Sequence, residues 1–309
     1  MRRSRRQRGV ALLLAVSVVA VLTLTVFPFV YEGRVERAVA SNLYTSLQAR
    51  HLAEGGVAIA EALLRLDGEK PGGDPYDGLD EIWAQYNNIP VAAGGGAVSM
   101  VITDEHAKLN LRRLVNGNTV NADWRSYLER LLVLVADQDA AEARRLVDAL
   151  VDWQDTESTN VTGSGGAEET YYRSLTPPYS PDNAPLVTVA QLGLVRGWTP
   201  EIVRKVTPFV TVYGEGRVNP NTAPWEVLVA IGLDETQATR AVESRVRTPF
   251  RNINEFRQAT GFTGNLNFLT YKSQYFGVTV TGSFRDSVSI LHTVLQRSGQ
   301  FQRHYWRVE

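Results

Sequence analysis

The chain has 309 residues, 32 basic and 33 acidic side chains, and no cysteine. The last fact excludes a disulfide framework, a CxxC zinc site and a thiol nucleophile. Five arginines fall within the first eight residues, and without them 27 basic groups face 33 acidic ones, a net charge of −6. That balance matches nucleic acid poorly, because such binding rests on phosphate neutralisation. At 44% hydrophobic composition, the length beyond Val30 suffices for two or three packed units.

Arg2, Arg3, Arg5, Arg6 and Arg8 precede Gly9, and the run Val10–Val30 then contains no ionisable side chain. At about 1.5 Å per helical residue this run crosses a bilayer core of roughly 30 Å. The arginines set its orientation, keeping the N-terminus cytoplasmic and everything after Val30 outside. The processing point lies before the apolar run, at Gly9, so cleavage there leaves the helix attached. From Tyr31 to Leu66, apolar Val35, Val39, Leu43, Leu47, Leu52, Ile59, Leu63 and Leu66 recur mostly every three or four residues. This continues the helix in amphipathic form. Pro28 is expected to bend it and Gly55-Gly56 to weaken it. The turn cluster from Asp67 to Pro75 ends it.

Ala97–Thr103 reads as a strand, as do Ser273–Thr281, Asp286–Leu295 and Arg303–Val308. Strands from both ends of the chain imply one domain inserted into another, with residues 105–272 as a mainly helical insertion. That insertion looks duplicated. One unit opens with Lys108-Leu-Asn-Leu, restarts a helix at Thr199-Pro-Glu and closes at Thr207–Tyr213. The other opens with Arg217-Val-Asn-Pro-Asn-Thr and includes Phe250–Phe256.

Asp148, Asp152, Asp155 and Glu157 are followed after a glycine-rich stretch by Glu168 and Glu169. Oxygen donors on a loop suit a hard cation, and calcium, with six to eight oxygen ligands, best of all. The expected ligands are Asp152, Asp155, Glu157, Glu168 and Glu169, with Asp148 instead paired to an arginine. The histidines, at 51, 106, 292 and 304, are scattered and adjoin no serine-nucleophile motif. No enzyme is therefore expected.

The leader resembles that of type IV prepilins and pseudopilins, which implies cleavage after Gly9 by a prepilin peptidase and methylation of Val10. Most pilins and pseudopilins carry glutamate at the fifth mature position; here it is Leu14. With that loss, the terminal strands and the duplicated insertion, the chain is similar to the K-type minor pseudopilins of the type II secretion system. The resemblance implies an α+β fold: a pilin-like N-terminal transmembrane helix and antiparallel sheet, interrupted by two SAM-like modules. The expected divisions are a leader (1–9), a membrane helix (10–30), its amphipathic continuation (31–66) and a first pilin-like part (67–104). A helical module with a calcium-type loop (105–215), a second module (216–272) and the returning sheet (273–309) complete them. The family's Asp-Trp-x-Asp-x-Asp…Gly-Ala-Glu-Asp calcium pattern appears here with Glu157 and Glu169 in place of aspartates.

The implied role is to form or cap a pseudopilus tip, anchored once in the inner membrane with the C-terminal region in the periplasm. Implied partners are other minor pseudopilins, the major pseudopilin, the prepilin peptidase, membrane lipid and exported substrates, with nucleic acid excluded. One competing reading remains. Val218–Ala238 is similar to a helix-hairpin-helix repeat, which would suit a membrane-anchored DNA-binding protein of a DNA-uptake machine. Against it, the hairpin Gly232-Leu-Asp234-Glu235 places two carboxylates where a phosphate would sit.

Overall fold

The computed structural model describes residues 3–69, 75–156 and 166–309, with side chains from Gly9 onward. Helix α1, Arg3–Gly68, is continuous over 66 residues and passes through Pro28, a length of about 100 Å. It takes in residues 3–9 as well as the apolar run. After the short α2, Ile82–Gln85, come β1, Val91–Ala93, and β2, Gly96–Asp104.

The chain then leaves for the insertion. This contains β3 (Leu109–Asn110), the hairpin of β4 (Val115–Asn116) and β5 (Thr119–Val120), α3 (Ala122–Val135), α4 (Ala140–Gln154), α5 (Glu169–Arg173), α6 (Pro200–Val206), β6 (Val210–Thr211), α7 (Trp225–Ala230), α8 (Glu235–Arg247) and α9 (Ile253–Thr260). It returns as β7, Tyr275–Phe284, β8, Ser287–Gln296, and β9, Gln302–Val308. The five-stranded sheet has the order β1-β2-β7-β8-β9 and is antiparallel throughout.

Period-two burial makes this sheet one-sided. Phe276, Val278 and Val280 alternate along β7 and join Val98, Met100, Ile102, Leu291 and Leu295 in one apolar cluster with Ala53, Val57, Ala60 and Leu64 of α1. The contact is close because α1 offers small residues. Gly56 is therefore no weak point: a Cβ there would lie 2.4 Å from Val280 Cγ1 and 2.7 Å from Val98 Cγ1. The bare glycine lets the helix press onto the sheet, and the helix continues through it.

The insertion's helices begin where the sequence supplies caps. Asn121 Oδ1 accepts from the Trp124 amide at 3.2 Å, and Asp139 Oδ1 accepts from Ala141 and Glu142 at 2.9 and 2.8 Å. Thr199 caps α6 ahead of Pro200, and Asp234 caps α8 in a capping box with Gln237. The duplication has a structural counterpart. Leu109 and Asn110 pair in parallel with Val210 and Thr211, and Val218 bridges in parallel to Leu269. Asn110 Oδ1 accepts from the Arg112 amide at 2.9 Å, and Asn219 Oδ1 from the Asn221 amide at 3.0 Å, the same turn twice. Both halves nevertheless contribute to one continuous apolar core running from Leu109 to Leu269.

Candidate functional site

Gly9 and Val10 lie within α1, and every residue from Gly9 to Val30 is exposed. The helix is long and apolar enough to cross a membrane. Leu14, at 62% exposure, sits on this apolar surface where a carboxylate would be costly in lipid.

The acidic loop starts at the last turn of α4. Asp152 and Asp155 are 0% and 1% exposed and Glu168 is 8% exposed. Asp155 is the C-cap of α4, at the end of the helix where the backbone dipole already carries partial negative charge. Gly166 packs directly onto Asp152: a Cβ there would fall 1.8 Å from Oδ2. Trp153 and Tyr172 meet edge to face at 5.1 Å, and burial pushes the Tyr172 hydroxyl up to about 12. Arg196 donates to the Gly166 carbonyl at 3.1 Å and stacks over Tyr171 at 4.8 Å.

The remaining expected ligands separate from this group. Glu169 is exposed and pairs with Arg173 at 2.5 Å within α5. Glu157 lies outside the described residues. Asp148 pairs with Arg125, as expected. Asp152 and Asp155 at the end of α4 and Glu168 at the start of α5 are the buried described carboxylates of the expected set; if a hard cation binds, they would hold it.

A second acidic group was not foreseen. Buried Asp67, Asp77 and Glu81 place carboxylate oxygens within 4.8 Å of one another. Arg297, at the end of β8, answers them: Nη2 donates to Asp77 Oδ1 and Oδ2 at 2.5 and 2.6 Å, and Nη1 lies 3.3 Å from Asp67 Oδ2. Glu81 accepts from the Gly78 amide at 2.9 Å and the Trp83 indole at 3.1 Å. Burial pushes the Asp77 carboxyl up to about 6, against the opposing pull of Arg297.

The network extends across the junction of sheet and insertion. Asn219 Nδ2 donates to the Asp77 carbonyl and Asp104 Oδ2, both at 3.0 Å, and to Ser273 Oγ at 3.1 Å. Ser273 Oγ and Thr222 Oγ1 donate to Asp104 Oδ2 at 2.5 and 2.6 Å. Burial lowers the His106 pKa from its ordinary value, against the pull of Asp104 and Glu105. No local motif marked these residues. The available signal was that Asp104 and Ser273 stand where two strands meet the insertion.

At the α7–α8 hairpin, Gly232 takes φ +115° and Asp234 turns its carboxylate back to accept from the Gln237 amide at 2.8 Å. That acid serves the helix start.

A family model described as "Type II secretion system (T2SS), protein K" matches residues 107–215, and a second so described matches residues 218–279. The type II secretion system protein K of Pseudomonas aeruginosa is 32% identical over 302 residues, spanning 95% of this chain and 90% of its own. That of Pectobacterium carotovorum is 26% identical, spanning 97% of each. Among solved structures, a chain of the GspK-GspI-GspJ complex from the enterotoxigenic Escherichia coli Type 2 Secretion System matches with TM-score 0.73. It is 18% identical and covers 88% of this chain and 99% of that one. With the pilin-like sheet, the long apolar helix and the helical insertion all present, this chain belongs to the type II secretion system protein K family.

Proposed function

We propose that this chain is a minor pseudopilin of a type II secretion system that caps the pseudopilus tip during export of folded proteins across the outer membrane. Residues 10–30 anchor it once in the inner membrane after cleavage at Gly9, and the remainder lies in the periplasm. One observation carries the cap: the insertion joins the sheet at its membrane-distal end. Ala49 faces Gly282 and Gly56 faces Val280, while Asp67, near the end of α1, reaches Arg297. The helix therefore rises along β7 toward Asp104 and Ser273, where the insertion departs and returns. A bulky lobe there obstructs a further subunit, and Leu14 offers no charge to that subunit's N-terminal amine.

The GspK-GspI-GspJ complex supports other minor pseudopilins as partners, and the role adds the major pseudopilin below. Calcium at Asp152, Asp155 and Glu168 would neutralise the buried acids and order the loop. The test uses cells that overproduce the major pseudopilin. Excess full-length protein should shorten or reduce their surface pili. A chain lacking 105–272, joined by a short linker, should not. Pili unchanged by excess full-length protein would make it a subunit of the filament body.

A further inference from the structure

Asp104, Glu105 and His106 are consecutive ionisable residues, all buried, where β2 gives way to the insertion. Each ties this point to a different part of the molecule. Asp104 Oδ2 takes donors from Asn219, Thr222 and Ser273, while its Oδ1 accepts from the His106 amide at 2.7 Å. Glu105 accepts from Lys108 Nζ at 2.7 Å and from the Thr211 hydroxyl. The His106 carbonyl accepts from the Asn219 amide at 2.8 Å.

The His106 ring packs against the linker that joins the two modules. A Cβ on Gly214 would sit 3.1 Å from Nε2 and 3.2 Å from Cε1, so ring and linker backbone are in contact. Gly214 takes φ +84° there, which glycine adopts without strain. The ring also meets Tyr275 of β7, with centroids 6.1 Å apart, and Tyr275 in turn neighbours His304 of β9 at 5.5 Å. His106 thus touches the end of β2, the start of β7 and the linker at once, with only 6% of its surface exposed.

This setting is unfavourable to a second ring proton. Nδ1 has no hydrogen-bond partner among the described residues. Asp104 Oδ1, 3.8 Å away, lies beyond hydrogen-bond reach. An imidazolium donates from both nitrogens and loses its hydration when buried. Asp104, Glu105 and Glu215 attract the charged form and Arg217 repels it; burial outweighs the attraction and lowers the pKa from its ordinary 6.5. A ring displaced into water carries no such penalty. Acid therefore favours displacement, and the ring cannot leave without parting from Gly214.

We propose that His106 is an acid-released latch on the inserted lobe: neutral, it holds the linker 213–219 against the end of β2, and protonated it swings out and loosens the lobe's seat on the sheet. The test is hydrogen exchange on the full chain in detergent at fixed excess calcium, at pH 7.5 and pH 5, with the intrinsic pH dependence of exchange divided out. A ring that titrates near 6.5 once exposed lets the open state gain at most about thirtyfold at pH 5. A loss of protection of about tenfold is expected at residues 213–219, against less than about twofold in α3 and α4. His106→Gln, which takes up no proton, should abolish the loss. Asp77→Asn should retain it, separating the latch from the titration of Asp77. Titration of the four histidine rings by NMR in the native chain gives a second reading, in which one ring should titrate below 6.5. Unchanged protection, a loss spread evenly over the insertion, or a loss that persists in His106→Gln would overturn the latch. Four rings all titrating at ordinary values would do so equally, even where His106→Gln does not fold.

Discussion

Gly282 of β7 lies so close to Ala49 of α1 that a Cβ on the glycine would sit 2.2 Å from the Ala49 carbonyl oxygen. It would also lie 2.5 Å from the Ala53 amide nitrogen. Backbone meets backbone here, and neither side can yield by changing a rotamer. Gly282→Val should therefore force the helix off the sheet, at a cost of about 3 kcal/mol or more. Urea unfolding of the full chain in detergent measures it, and a loss below about 1 kcal/mol would contradict so tight an interface.

The buried Asp77–Arg297 pair sets a pH dependence. The Asp77 carboxyl titrates near 6 in the folded chain, against 3.8 for the ordinary group. The folded state holds this proton more tightly, so the contribution to stability is fully present below about pH 3.8 and is lost as pH rises through 6. The span corresponds to about 3 kcal/mol. Subtracting the stability curve of Asp77→Asn from that of the native chain should isolate a fall between pH 4 and pH 7. A flat difference over that window would refute the argument.

Arg297 compensates two buried acids at once. Arg297→Met leaves Asp67 and Asp77 without their guanidinium and should cost about 3–5 kcal/mol at pH 7. Adding Asp77→Asn should restore part of the loss, because one buried charge is removed. The double-mutant cycle fails as support if the two substitutions are simply additive.

Chelation tests the acidic loop. A cation bound only to the folded form at 100 times its dissociation constant adds roughly 2.7 kcal/mol. EDTA should lower the melting temperature, and Asp155→Ala should remove most of that difference. Glu169→Ala should leave it intact, since Glu169 is exposed and engaged with Arg173. Identical melting with and without chelator would remove calcium from the account.

Processing is read at the N-terminus. The mature membrane-bound protein should begin at Val10, the residue after Gly9, when cells contain active prepilin peptidase. N-terminal sequencing that returns Met1 from such cells would make residues 10–30 a plain signal anchor.

Much of this architecture was legible in the chain. The charged leader and uninterrupted apolar run mark a membrane segment because lipid admits no unpaired charge. Alternation along the last three strands marks a one-sided sheet, and their observed ranges agree with the expected ones within about three residues. Thr199-Pro200 announced a helix start because the side-chain acceptor and the fixed proline φ are local properties. The pairing of Asp148 with an arginine was legible, and the partner is Arg125 of α3. β1 was missed, being three residues long and too short to show a period.

What the amino-acid sequence alone determined is therefore local: where helices begin, which faces are apolar, which segment is long and apolar enough to cross a membrane, and that a helical insertion interrupts a sheet. Only the tertiary structure decided the meaning of residues whose partners are remote. Gly56 looked like a helix defect until Val98 and Val280 occupied the space of its missing side chain. Asp67 and Arg297 stand 230 residues apart, and nothing near either predicts the other. Glu169 and Asp155 carry like charges in the chain, yet one faces solvent and the other is buried at a helix end. Burial and close approach belong to pairs of surfaces brought together by folding, so no window of sequence contains them.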